Sequence, residues 1–170
     1  MSQSENQNDL TKKAIPVPSR PHIPEYGIPE SVEGTLPWSH IEARLEKARN
    51  YWIGTVGPAS RPHAVPIWGV WVEGTLYFGG GPQTRWSRNL AANPAVAVHL
   101  ESGDDVVILE GVVERINDST DPRVTGIDDA YEAKYNLRHG LPFWVLRPRV
   151  VFAWNKFPDN TTRWRFSQTH

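Results

Sequence analysis

Apolar positions along this chain follow two rhythms, and the change from one to the other marks its elements. Ile41, Leu45 and Ala48 recur at helical spacing behind Ser39-His-Ile-Glu42, a capping-box pattern, and predict an amphipathic helix over Trp38 to Arg49. From there the period drops to two. Tyr51 to Val56 reads as a first strand, Gly57-Pro-Ala-Ser60 as a turn, and Arg61 to Val72 as a long second strand. Glu73-Gly74 is a tight hairpin turn into a third strand, Thr75 to Phe78. After a glycine turn and a short helix, Ala95 to Leu100 and Asp105 to Ile116 are the fourth and fifth strands, joined by Ser102-Gly-Asp104. Asp128 to Leu137 is predicted helical.

Strand pattern returns over Trp144 to Trp154, where Trp144, Leu146, Val150, Phe152 and Trp154 share one parity, broken by Pro148, and Arg147 and Arg149 take the other. One face of this strand is expected to be buried and the other to meet solvent or a second subunit. The tail, Thr162-Arg-Trp-Arg-Phe166, alternates basic and aromatic residues. Short antiparallel strands at this spacing favour a barrel or sandwich. Pro62 and Pro66 cannot donate to a ladder, so the second strand belongs at an edge or a bulge, with part of it unpaired and open to a ligand.

Residues 1–36 are polar and rich in proline, which predicts an extended arm, loose at its start and laid on a partner surface nearer residue 36. Residues 37–170 are expected to form one domain, with no repeat and no second domain. The formal net charge of −1 gives no long-range attraction to nucleic acid or to an anionic membrane. With no cysteine there is no disulfide and no thiolate metal site. The histidines form no His-x-His or His-Glu-x-x-His pair, so no metal is expected. No apolar run has the length of a membrane span, and the first residues lack a basic-then-apolar leader, so a cytoplasmic protein is expected. No Ser/His/Asp order or nucleophile elbow is visible, and no catalytic residue is assigned.

The candidate chemistry lies in Gly79-Gly-Gly-Pro-Gln-Thr-Arg-Trp-Ser-Arg-Asn-Leu-Ala-Ala-Asn-Pro94, where a strand runs into a glycine turn that opens a helix. Backbone N–H groups at such a turn approach anions, and Arg85 and Arg88, three apart, share a helix face that can grip one phosphate. Trp68 and Trp71 point to opposite strand faces, so at most one faces a given ligand, and Trp68 is the one nearer the unpaired stretch. His63 is either a donor beside a ligand or a structural histidine; His99 reads as structural. Glu110 shares a face with Val106, Ile108 and Val112, which predicts a buried carboxylate paired with Arg147 or Arg149. Arg163 and Arg165, with Trp164, either reach a neighbouring site or merely flank a clamped tail.

The ordered set of Tyr51-Trp-Ile-Gly-Thr-Val56, Arg61-Pro-His-Ala-Val-Pro-Ile-Trp68, Leu76-Tyr-Phe78, Thr84-Arg-Trp-Ser-Arg-Asn-Leu90 with Asn93-Pro94, and Val106 to Glu114 resembles the pyridoxamine 5′-phosphate oxidase-like split β-barrel superfamily. Within it the chain is most similar to the flavin and deazaflavin oxidoreductase branch. The resemblance implies a mainly β fold with flanking helices, a six-stranded antiparallel FMN-binding split barrel, and a homodimer with cofactor sites at its interface. Carried over, His63, Val65, Pro66, Ile67 and Trp68 would line the cofactor ring, and Phe78, Gly79, Thr84, Arg85, Trp86, Arg88 and Asn89 would lie at the phosphate. The family usually has a phosphate-binding lysine where this chain has Trp86, which removes one charge-assisted contact worth about 1.5–3 kcal/mol. The implied activity is hydride transfer between a flavin-type cofactor, coenzyme F420 ahead of FMN, and a small organic substrate. The alternative is a non-catalytic split barrel that binds haem or has lost tight flavin binding. Binding of single-stranded nucleic acid on aromatic platforms is disfavoured by the charge, and the pyridoxamine phosphate oxidase reaction by the weak echo of its C-terminal arginine motif.

Overall fold

The computed structural model describes residues 14–167. Helix α1 (Trp38–Lys47) leads into strand β1 (Tyr51–Gly57), a 3-10 turn over Pro58–Ser60, then β2 (Arg61–Ile67), β3 (Gly69–Val72) and β4 (Thr75–Gly79). Helix α2 (Arg85–Ala92) follows, then β5 (Ala95–His99), β6 (Val106–Ile116), α3 (Arg123–Tyr135), β7 (Phe143–Trp154) and β8 (Thr162–Arg165). All strand pairs are antiparallel, in the order β2-β1-β5-β6-β7-β4-β3, with β8 also pairing β7. β2 and β3 stand at opposite edges of this order, yet Trp68 alone separates them in sequence. Consecutive Cα atoms are about 3.8 Å apart, so the sheet must curl until its two edges meet at Trp68. The result is a curled half-barrel with three helices.

Four expectations are corrected. The long second strand is two strands, and the tail adds another, so the sheet has eight strands instead of six. The capping box at Ser39 is not used: α1 already begins at Trp38, behind Pro37, with no side-chain cap. The helix predicted over Asp128 to Leu137 begins earlier, at Arg123. On β7 the inward parity changes at a bulge. Glu110 pairs with Val150 but the next β6 residue, Gly111, pairs with Pro148, which leaves Arg149 as the extra residue. Trp144 and Leu146 therefore point inward before the bulge and Val151 and Ala153 after it, while Val150, Phe152 and Trp154 are half-buried on the outer face.

The inner face builds the main core from residues such as Ile53, Leu76, Phe78, Val98, Leu109, Leu146 and Val151, with Ile41 and Leu45 of α1 and Trp86 and Leu90 of α2 packed into it. A second core forms where α3 lays Ile127, Tyr131 and Tyr135 over the outer side of β3, β4 and the start of β7, against Val70, Tyr77, Phe143 and Val145. Among the described residues, no helix lies over the rest of the outer face, on β2, β1, β5 and the first half of β6. Among the described strands β2 pairs only with β1, at the edge as its prolines require, but it is paired along its whole length from Arg61 to Ile67, so the expected unpaired stretch is corrected to a free outer edge.

The described part of the arm lies on its own chain. Ser19 forms a reciprocal pair of 2.8 Å backbone hydrogen bonds with Arg163 of β8. The Arg20 guanidinium donates to the carbonyls of Ser31, Glu33, Asp159 and Thr161 at 2.6–3.0 Å. Residues 1–13 of the predicted arm lie outside the described residues.

Candidate functional site

Thr84 starts α2 as its N-cap: its hydroxyl accepts from the Ser87 N–H at 3.4 Å and donates to the Gly81 carbonyl at 2.9 Å. That fixes which side chains face the barrel. Trp86, Ser87, Asn89 and Leu90 are buried, and Arg85 and Arg88 are exposed. Trp86 sits against Phe78, ring centres 5.8 Å apart, and lies so close over Gly80 that a Cβ there would come within 2.3 Å of the indole. The residue replacing the expected lysine is therefore core, offering neither charge nor a stacking face. Asn89 donates to the Thr55 hydroxyl at 3.0 Å and is likewise spent on packing. Arg88 donates to the Gln83 carbonyl at 2.8 Å, and Arg85 makes no hydrogen bond or ion pair among the described residues.

β2 divides the ring-lining candidates by parity. Val65 and Ile67 pack into the barrel, while Pro62, Ala64 and Pro66 are exposed on the outer face. A shallow cavity of about 610 Å³ lies there, floored by Gly54, Ala64, Ala95 and Ala97 and rimmed by Val56, Pro62, His63 and Glu110. Small residues on three adjacent strands make a flat, nearly apolar bed. The expected burial of Glu110 is corrected: it is exposed and has no ion pair among the described residues. Arg147, its expected partner, lies 3.8 Å from Glu114 instead, because the bulge re-aims this part of β7.

A polar-aromatic cluster at the seam was not anticipated. The Tyr131 hydroxyl donates to the Trp68 carbonyl at 3.1 Å and accepts from the Gly79 N–H at 3.2 Å, tying the end of β2 to the start of the glycine turn. His139 covers Gly79 so closely that a Cβ would come within 2.3 Å of its ring. Tyr135 stacks on Trp68 at 4.6 Å and 5° and accepts from the Gly69 N–H at 3.1 Å. Lys134 donates to the Tyr51 hydroxyl at 2.8 Å and the Gly69 carbonyl at 3.2 Å, with no carboxylate in reach of its ammonium among the described residues. Burial pushes Lys134 down to about 8 and raises the phenols of Tyr51, Tyr131 and Tyr135. The spacing Ile127-x-x-x-Tyr131-x-x-x-Tyr135 was the available signal: one helical stripe, with the polar ends of the tyrosines left to find partners.

The structure thus separates the candidate residues. Val65, Ile67, Phe78, Trp86 and Asn89 are core. Gly79 and Thr84 shape the turn. Pro66, Trp68, Arg85 and Arg88 are exposed, and His63 is half-buried beside the cavity. Among the described residues no three His, Cys, Asp or Glu side chains group to hold a metal ion, and no helix is long and apolar enough to cross a membrane.

A curled antiparallel sheet whose edge strands meet at one residue, with a glycine turn and a short helix after β4, defines a split-barrel protein. The chain belongs to the pyridoxamine 5′-phosphate oxidase family, whose model matches residues 38–155. Among solved structures, a conserved hypothetical protein of Mycobacterium tuberculosis is 18% identical with a TM-score of 0.62, covering 73% of this chain and 88% of its own. A structure described as an F420 reductase is 25% identical, with a TM-score of 0.52 and coverage of 65% and 94%. A haem-binding protein of Mycobacterium smegmatis is 21% identical, with a TM-score of 0.61 and coverage of 77% and 59%. No curated protein matches the chain.

Proposed function

We propose that this protein is an oxidoreductase of the flavin and deazaflavin branch, a homodimer that holds a flavin-type cofactor on the outer side of β2, with coenzyme F420 favoured over FMN. The observation that carries this reading is the flat, nearly apolar bed on the outer face. The edge strand β2 presents Pro62, Ala64 and Pro66 on the outer face, and α2, whose Trp86 and Leu90 pack into the inner core beside β1 and β2, exposes Arg85 and Arg88 to solvent. The residues present fit such a group: the bed of Gly54, Ala64, Ala95 and Ala97 suits a flat ring, and the exposed guanidiniums of Arg85 and Arg88 on α2 would take its phosphate tail around the free edge of β2. The backbone face of Gly79 and Gly80 is filled by His139 and Trp86, so the arginines carry the anion. When bound, the cofactor supplies the hydride chemistry. The chain's own part is to orient the ring and to keep water from it with uncharged walls. The likeness to an F420 reductase is the reason F420 is placed before FMN.

A second copy is the proposed cover for the rest of the bare outer face. Val56, Ile108, Val112, Val150 and Phe152 would lie beneath it, and Glu110 would meet arginines such as Arg163 or Arg165 across the two-fold axis. The competing reading, a haem binder, rests on the same apolar cavity, with His63, which lines it on β2 at the parity of Val65 and Ile67, turned outward to serve as the axial ligand. Titration of the purified protein with F420, FMN and haem, followed by absorbance, separates them. The redox reading expects saturable F420 or FMN binding that weakens at least about tenfold in Arg85→Gln/Arg88→Gln. A Soret band lost in His63→Ala, with no flavin binding, would replace it by the haem reading.

A further inference from the structure

Trp68 is unusual among the tryptophans of the described chain in being 39% exposed while held rigidly from behind. Tyr135 backs it in a parallel stack at 4.6 Å, and the Tyr135 hydroxyl is fixed between Gly69 and the carbonyl of Arg49. The guanidinium carbon of Arg49 lies 5.0 Å from the Trp68 ring centre and 5.8 Å from that of Tyr135. A group on the far side of the indole would stand much farther from Tyr135. Arg49 is therefore beside the stack and not across the face of Trp68 turned away from Tyr135, and the 39% exposure of Trp68 is read as that face. The Arg49 guanidinium makes no hydrogen bond or ion pair among the described residues. The next cation, Lys134, has only neutral partners, at Tyr51 and Gly69. Glu46 is the acidic group acting on Tyr51, and its effect there is the weakest of those felt.

From this we infer that the open face of Trp68, together with Arg49, is a binding site for a planar organic anion, an aromatic or conjugated carboxylate in chemical class. The indole supplies a preorganised stacking surface, so little side-chain entropy is lost on binding. The free guanidinium supplies a two-pronged donor for the carboxylate at the ring's edge. Trp68 is the first residue past β2, so a molecule stacked there lies at the end of the strand that carries the proposed cofactor bed. As a statement about the reductase's substrate the inference rests on the reading above; as a binding site it stands alone.

Calorimetric titration of the protein with naphthoate and with the uncharged naphthalenemethanol tests it. Wild type is expected to bind naphthoate at least about fivefold more tightly than the alcohol. Arg49→Gln abolishes that preference and leaves the alcohol unchanged, and Trp68→Leu weakens both. Arg88→Gln, in the proposed phosphate site, leaves naphthoate unchanged. Equal affinity for the two probes, or a preference that survives Arg49→Gln, would overturn the site. Naphthoate binding by a protein that takes neither F420 nor FMN would instead refute the cofactor reading and keep this one.

Discussion

The two halves of the sheet's outer face are built from different residues. Where α3 covers β3, β4 and the start of β7, the outward side chains are Val70, Val72, Tyr77, Phe143 and Val145, large and close-packed. Where no helix lies among the described residues, on β1, β2 and β5, small residues (Gly54, Pro62, Ala64, Pro66, Ala95 and Ala97) form a patch beside the stacked rings of Trp52 and His99. A face covered by its own chain gains stability from bulk, since each fully buried large side chain contributes about 1.5–3 kcal/mol. A face of small residues gains almost nothing from the fold and leaves room for a flat partner to approach the backbone. The contrast teaches that the bare half is shaped for something other than folding, and that substitutions in the two halves must fail in different ways.

The covered half should break hardest. Tyr131→Ala removes a fully buried ring and both of its hydrogen bonds, and is expected to lower unfolding stability by about 3–5 kcal/mol in denaturant titration. Trp86→Lys should cost a similar amount, about 3–5 kcal/mol, and should not create phosphate affinity, because its side chain enters the core against Phe78. A stable variant with new flavin affinity would show that this position faces the ligand.

On the bare half the expected signature is association without instability. Ala97→Glu sets a second carboxylate opposite Glu110 across β5 and β6. The mass measured by light scattering should halve, while the isolated chain's stability changes by about 0.5 kcal/mol or less.

Two finer tests probe the seam where the halves join. Tyr131→Phe keeps the ring and removes the hydroxyl, so it should cost only about 1 kcal/mol while the Gly79 amide exchanges faster with solvent. The smallest effect is a pH dependence. The Lys134 ammonium is held at about 8 in the fold, below its ordinary value of 10.5. Between those values the unfolded chain binds the extra proton, so this residue makes stability rise with pH through that window. Lys134→Met should flatten the rise in urea titrations; an unchanged slope would place the ammonium in solvent.

The succession of most strands along the chain and the places of α1 and α2 were legible because alternation and glycine-proline punctuation are local signals. Pro62 and Pro66 even named the edge strand. The break at Trp68 was not legible, since Val65 to Val72 is an apolar run with no polar turn pair, and only sheet closure demands that the chain leave one edge for the other. The parity change on β7 depends on a bulge set by its partner β6, which no single strand's sequence reveals. At the site, Arg85 and Arg88 stood out by type and spacing. Tyr131, Tyr135 and His139 did not, because their roles arise from long-range hydrogen bonds to the backbone at Trp68, Gly69 and Gly79 and from packing against it. Trp86 was read as a changed ligand, whereas burial makes it a core residue.

Native mass spectrometry of the full chain with F420 and, separately, FMN added tests the central claim most directly. The account predicts a species of twice the chain mass carrying two cofactors, with the bare half of each sheet covered by the other copy. A monomer, or a dimer that carries neither F420 nor FMN, would contradict it.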